Sequence, residues 1–292
     1  MLDSFEKGMQ MNGFIGFDEL VDNSMYLDRA EKVPLFFENG ERSRYYSVIN
    51  RNSEKEVCTV SERYGIVQHT DAIERFITSV QSAGIEGYGR IRNFGDTVTC
   101  DVIFDNFVVR ENKESFDGKG DIHLGATMRN SFNKSVGFSV YPFMLRGVCT
   151  NGMIFKQRSA FNRLYVKHIG DVIGKVGNGI KNIVENMFKI ENAVLNMIDV
   201  ATNNVITFEK REDMILTLGK YAMGERRAYQ LIEQYDLPLS LNVWDLYQVL
   251  TEYASWTRDL KYSVYDGIME GAETILINGL TVEKSGTPLV TV

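Results

Sequence analysis

From Arg44 onward the chain alternates apolar and polar positions with the two-residue period of a half-buried strand. The runs YYSVIN and EVCTVSERYGIVQ flank the polar stretch Asn50–Lys55, which predicts a β-hairpin. Ile73, Phe76, Ile77 and Val80 then recur at helical spacing. Thr70 stands as their expected cap, with Glu74 near the capping-box position and Gly84 as the stop. The short period returns in strands expected near Glu86–Arg92, Thr97–Phe104 and Phe107–Arg110, followed by the polar loop ENKESFDGKGD, expected to be mobile. Over Ile122–Phe155 short strands alternate with small and basic residues, and Asn151-Gly152 within Cys149–Gly152 is a hairpin signal.

After about Asp171 the period changes to that of a helix. VIGKVGNGIKNIVENMFKIENAVLNMIDVA predicts one long or broken helix, followed by Arg211–Gly219, Gly224–Tyr235 and Asn242–Trp256. In the last of these, Val243, Leu246, Val249, Leu250 and Tyr253 share an apolar face that Trp244 and Tyr247 extend. Strands followed by helices predict an α+β fold. The expected organisation is a single α+β domain over residues 41–278, β-rich over 41–168 and helical over 169–278. Residues 1–40, with a weak helical stretch at Phe17–Ala30, are expected to form an N-terminal arm against a neighbour. Residues 279–292 are expected as an extended tail, β-prone from Thr281 and broken by Ser285-Gly286-Thr287-Pro288. An arm and a tail of this kind together suggest a homo-oligomer.

The 292 residues are 44% hydrophobic, enough for a sizeable core, and the chain has four prolines and no low-complexity tract to mark a linker. No apolar run approaches the roughly 18 residues of a membrane span, and the N-terminus lacks a secretory pattern. The expectation is a cytoplasmic protein without a membrane partner. Cys58, Cys100 and Cys149 are odd in number and widely spaced, as reduced core thiols would be.

Charge changes the picture most. Gly125–Lys181 carries nine Lys or Arg and a single acid, Asp171, whereas the remainder carries 23 and 38, for a total of −7. A basic segment on an acidic body is the footprint of a protein that holds a polyanion. Arg129, Lys134, Arg146, Lys156, Arg158, Arg163 and Lys167 are the candidate phosphate contacts, and Phe161 and Tyr165 the candidates for base stacking. Aromatic residues in this segment are no denser than in the whole chain, so most of them belong to the core.

Other chemistry is weaker. Gly174-Lys-Val-Gly177-Asn-Gly179 lacks the GK[ST] and the preceding strand of a phosphate loop, and suits a kink or a close helix contact. The first turn after Tyr64-Gly-Ile-Val-Gln68 could receive a phosphate, although Asp71 supplies an anion of its own. His69, His123 and His168 have no partners at metal-ligand spacing. Asp96, Asp101 and Asp105 could be imagined as a magnesium cluster for phosphodiester cleavage. No cofactor is implied.

Several motifs resemble the phage/plasmid-like protein family, a domain of unknown function. They are Tyr64-Gly-Ile-Val-Gln68-His-Thr-Asp-Ala72, Ser135-Val-Gly-Phe-Ser-Val with Pro142, Arg146-Gly-Val-Cys149-Thr-Asn151-Gly152, Lys167-His168, Asn242-Val-Trp244-Asp-Leu-Tyr247 and Thr251-Glu-Tyr253. The resemblance runs from about Tyr45 to Trp256. It implies a product of a phage or mobile-element genome with a part in replication or recombination. The leading expectation is therefore a phage-encoded binding protein rather than an enzyme, one that holds nucleic acid without sequence preference. Single-stranded DNA is favoured over RNA, with strand annealing as the working analogy. The alternatives are a phage assembly protein that self-associates through complementary charged patches, and a metal-dependent nuclease.

Overall fold

A computed structural model describes residues 13–109, 122–146, 152–154, 164–169, 180–183, 185–235, 241–257 and 260–285. The strands are β1 (Ile15–Gly16), β2 (Ala30–Phe36), β3 (Arg42–Asn50), β4 (Lys55–Ser61), β5 (Gly87–Asn93), β6 (Thr97–Val109), β7 (Ile122–Ser131), β8 (Phe138–Arg146), β9 (Gly152–Ile154), β10 (Leu164–Val166), β11 (Val205–Ile206) and β12 (Leu241–Asn242). The helices are α1 (Phe17–Ser24), α2 (His69–Gln81), α3 (Met187–Asn203), α4 (Phe208–Leu218), α5 (Glu225–Gln234), α6 (Val243–Trp256) and α7 (Tyr262–Ser285), with a π-helical turn at Gly219–Met223. The fold is α+β, β-rich in its N-terminal half and mostly helical in its C-terminal half.

Seven antiparallel strands form the main sheet in the order β1-β5-β6-β7-β8-β10, with β9 also paired to β8. Its two faces follow from register. Gly89, Val102 and Ala126 stand opposite one another, as do Ile91, Cys100, Met128 and Val140. This apolar face packs on α1 and α2; a Cβ at Gly89 would come within 2.6 Å of the tip of the Leu20 side chain, so glycine lets the helix lie close without shifting that leucine. The opposite face carries Arg90, Asp101, Thr127 and Tyr141 in one cross-strand row and Arg92, Thr99, Arg129 and Ser139 in the next. α7 lies across it and supplies Tyr262 and Asp266 to Arg129.

The hairpin expected around Asn50–Lys55 is β3–β4, and β2 adds to it to give a three-stranded antiparallel sheet. Ala30, Val48, Val60 and Phe132 close a small core of their own beneath that sheet. The large core draws on both halves of the chain, from Phe14, Phe76, Val102 and Phe143 to Leu231, Leu250 and Ile268. Among the described residues no helix is long and apolar enough to cross a membrane.

Several expectations are corrected. Residues 13–36 are not an arm: β1 pairs with β5, β2 pairs with β3, and Phe14, Phe17 and Leu20 are buried. The expected extended tail is helical through Ser285, as the last turns of α7; residues 286–292 lie outside the described residues. Thr70 does not cap α2. Its hydroxyl donates to Ser24 O at 2.8 Å, and Gln68 occupies the cap position while its amide pairs with both backbone groups of Ala30. The two strands expected on either side of Asp105 are a single β6, interrupted where the register jumps between Ile103 and Val108. Tyr64–Gln68 is not a strand; Tyr64 makes one bridge, to Ile169. The polar loop, the Cys149–Asn151 turn and the Gly174–Gly179 glycines lie outside the described residues. β8 pairs antiparallel with β9 through Leu145 and Gly152, which puts Gly152 on the ladder rather than in the turn.

Candidate nucleic-acid interface

The edge strand β4 meets the β7–β8 turn in a concavity of about 340 Å³, walled by Tyr45, Thr59, Ser61, Tyr64, Lys134 and Ile169. Local chemistry fixes both walls. The turn is held by Ser131, whose hydroxyl donates to Val136 O at 2.7 Å, and by Asn133 Oδ1, which accepts from Ser135 N at 2.9 Å. Lys134 takes a positive φ of 63° at the tip, and its Nζ donates to Thr59 O at 2.8 Å, tying the turn to β4. Tyr64 donates its hydroxyl to Phe132 O at 3.3 Å and stacks on His168 with centroids 5.4 Å apart. Burial pushes the Tyr64 phenol up and holds His168 down to about 4, so both stay neutral at physiological pH.

The rim is cationic and aromatic. Arg44 lies over the Tyr45 ring at 5.1 Å, and Arg42 and Lys32 lie over Tyr46 at 5.5 and 4.8 Å. Tyr45 is 42% exposed, Tyr165 53% and Ile169 54%, and Lys167 is exposed between the last two. Glu56 on β4 accepts from the Thr59 hydroxyl, and Glu62 follows the strand. The groove therefore offers stacking faces, a few hydroxyls and cations that remain in water.

The predicted contacts divide sharply. Lys134, Tyr165 and Lys167 are exposed; of the three, Lys134 lines the groove, and the Tyr165 ring lies against Gly137 between β7 and β8. Arg129 is a correction: it is 1% exposed, and its guanidinium pairs with Asp266 and donates to Tyr262 at 3.1 Å, so it cannot meet a polymer phosphate. Arg146 closes β8, and its side chain lies outside what is described. Lys156, Arg158, Phe161 and Arg163 lie outside the described residues. Of the segment's aromatics, Phe132, Phe138 and Phe143 are buried in the core, as expected. Arg42, Arg44 and Tyr45 escape the charge argument because they lie some eighty residues earlier, among acids that mask them. The run Arg42-Ser-Arg44-Tyr45-Tyr46 itself, cations beside aromatics, is the signal that finds them.

The proposed metal carboxylates do not converge. Asp101 is fully buried between Arg90 (3.3 Å) and Arg92 (3.6 Å) and accepts from the Thr127 hydroxyl at 2.6 Å. Burial opposes its charge, but the two guanidinium groups outweigh that and hold the carboxyl below its ordinary range. Asp96 accepts from Asn50 instead, and Asp105 is exposed. Among the described residues no three His, Cys, Asp or Glu side chains are grouped to hold a metal ion. His69 stacks on Phe132 at 3.8 Å, with Nδ1 on Asn130 and Nε2 on Gly95 O.

Residues 57–267 match the model of a family described as Domain of unknown function (DUF932). The chain belongs to that family. No curated protein and no solved structure matches it. The DUF932 match starts at Val57 in β4 and ends within α7. It covers most of the main sheet and the β4 wall of the groove, whereas Arg42, Arg44 and Tyr45 precede it.

Proposed function

We propose that this DUF932 protein binds single-stranded nucleic acid without sequence preference, with the β4 groove and its rim as the contact surface. The observation that carries the reading is an exposed aromatic face beside cations at one concavity: Tyr45 and Lys134 wall it and Arg44 lies over the Tyr45 ring, with Arg42, Tyr165 and Lys167 exposed on the neighbouring segments. A single strand offers unpaired bases to stack on tyrosines and phosphates to pair with cations. Stacking is worth roughly 1–3 kcal/mol per base and is indifferent to sequence. A duplex keeps its bases stacked, and a concavity of about 340 Å³ suits one unpaired base rather than a groove-filling helix. Binding, with no bond made or broken, is what these groups supply. The family resemblance supports a place in the replication or recombination of a phage or mobile element, within the host cytoplasm, with DNA as the first strand to test and subunits arrayed along it.

Fluorescence anisotropy of labelled single-stranded DNA, duplex DNA and single-stranded RNA, at several salt concentrations, tests the reading. Single strands should bind more tightly than duplex, with affinity falling steeply as salt rises. Arg44→Glu combined with Lys134→Glu should weaken every sequence about tenfold or more and flatten the salt slope by roughly 0.7 for each phosphate that is no longer neutralised. An unchanged affinity in that double variant moves the contact surface elsewhere. An oligomer that dissociates with salt and ignores nucleic acid replaces the reading with self-assembly through charged patches.

A further inference from the structure

The buried face of the main sheet carries more positive charge than its neighbours neutralise. Arg90, Arg92 and Arg129 stand on β5 and β7, and among the described residues only Asp101 and Asp266 pair with them. Donors are also left over. Arg90 Nη2, both Nη atoms of Arg92, and Nε and Nη2 of Arg129 are buried without a hydrogen-bond acceptor. Among the described residues the hydroxyls of Thr99, Ser139 and Tyr265 are likewise buried without a hydrogen-bond partner. These groups are not scattered. Arg92, Thr99, Arg129 and Ser139 face one another in a single cross-strand row. Thr99 lies between the two arginines, roughly 5 Å from each along the row, a separation that two guanidinium side chains can close upon one small ion.

Aromatic faces account for part of the cationic charge: Arg92 lies 4.8 Å from the Tyr265 centroid, and Arg129 5.7 and 5.8 Å from those of Tyr141 and Tyr262. A ring face accepts no fork of N–H donors, so it leaves the hydrogen-bonding deficit in place. Burial first, then the neighbouring Arg92 cation, bring Arg90 down to about 10, whereas at Arg129 burial is outweighed by Tyr262 and Asp266 and the guanidinium is held above its ordinary value, so the shortfall lies on the Arg90–Arg92 side.

We propose that this layer holds a phosphate-class oxyanion, inorganic phosphate or the terminal phosphate of a small molecule, between the main sheet and α7. Guanidinium forks match the oxygens of such an ion in pairs, and the Thr99 and Ser139 hydroxyls can donate to the oxygens that remain. The ion supplies the missing negative charge and the missing acceptors together. A polymer phosphodiester does not fit, because α7 covers the layer and Arg129 and Thr99 are 1% and 0% exposed. Arg92 has 16% of its side chain exposed, against 10% for Arg90 and 2% for Arg129. The site is thus separate from the β4 groove.

The test is thermal unfolding and isothermal titration calorimetry of the full chain, in phosphate and in chloride at equal pH and ionic strength. Phosphate should bind at one site and raise the midpoint saturably, by roughly 5 °C at a hundredfold excess over Kd. Arg92→Gln leaves two arginines for two carboxylates. That variant should lose the phosphate response, with a midpoint in chloride no lower than that of the unaltered protein, whereas removal of a purely structural clamp would lower it in both salts. Arg92→Lys, which keeps the charge without the fork, should retain a reduced response. A nucleoside monophosphate should reproduce the shift if the ion is an ester, and inorganic phosphate alone should do so if it is free. Equal midpoints in phosphate and chloride, no binding heat in the unaltered protein, or a full response in Arg92→Gln would each overturn the proposal. So would a response confined to oligothymidylate lacking terminal phosphates.

Discussion

His69 shows how one residue couples the core to pH. Burial is the larger cause and holds it down to about 4, only partly opposed by the hydrogen bond to Gly95 O. The neutral ring suits its neighbours: Nε2–H donates to Gly95 O, and Nδ1 accepts from the Asn130 amide at 3.0 Å. In the unfolded chain the ring titrates near 6.5, so between about pH 6.5 and 4 the unfolded state binds the extra proton. The stability that a neutral His69 preserves is therefore full above pH 6.5 and is lost as pH falls toward 4. Denaturant unfolding at pH 7 and pH 5 should differ by about 1–2 kcal/mol from this group alone, and His69→Gln should remove that share of the difference. A slope unchanged in the variant would place the titration elsewhere. The sequence places His69 at the start of a helix, and α2 begins there. It does not reveal the stacking on Phe132, because the two rings are far apart in the chain and only the β7–α2 packing joins them. Arg129 is misread for the same reason: local composition counts its charge, whereas Asp266, which neutralises it, comes 137 residues later.

Among the elements, periodicity is most informative where one face is apolar and the other is wet. The α2 stripe of Ile73, Phe76, Ile77 and Val80 is buried as expected, and so are Val243, Leu246, Leu250 and Tyr253 on α6. The α6 start is marked by Asn242, whose side chain accepts from Asp245 N at 2.8 Å; Asn242→Ala should cost about 1 kcal/mol in a thermal or denaturant melt. β2 is not legible in the sequence, because Lys32, Pro34 and a flanking acid break its alternation, and its pairing is supplied by β3 and by the Gln68 side chain rather than by its own pattern. The β6–β7 pair depends on a glycine that sequence alone leaves mute. A Cβ at Gly125 would sit 1.9 Å from Val102 O, beside the point where the β6 register jumps, and backbone cannot swing aside as a side-chain tip can. Gly125→Ala should therefore cost roughly 3 kcal/mol or more and lower the soluble yield. A Cβ at Gly271 would also meet an atom at 1.9 Å, but that atom is the tip of the Leu218 side chain, so Gly271→Ala should be milder.

For the whole molecule, the order of strands and helices suffices for the α+β class, but the boundaries of the folded unit depend on contacts that no local pattern carries. Residues 13–36 look like an appendage when read alone, because they mix acids with Met and Phe and show only a weak helical stretch at Phe17–Ala30. In the fold, β1 completes one edge of the main sheet and α1 seals the apolar face through Leu20 against Gly89. Phe14, Phe17 and Leu20 are 0%, 3% and 0% exposed within the core that runs into the helical half. Truncation of a buried phenylalanine or leucine costs about 2–5 kcal/mol, and loss of all three with β1 approaches the roughly 5–15 kcal/mol that holds a domain folded. Deletion of residues 1–29 should therefore abolish the cooperative melt and the near-ultraviolet circular dichroism of the whole chain, the helical half included. A detachable arm would leave both intact and alter only the oligomeric state, which sedimentation of the same deletion variant would show. A deletion variant that melts as sharply as the full chain would return residues 13–29 to the role of an arm. In that case the main sheet would have to hold with β5 as an open edge and Gly89 uncovered.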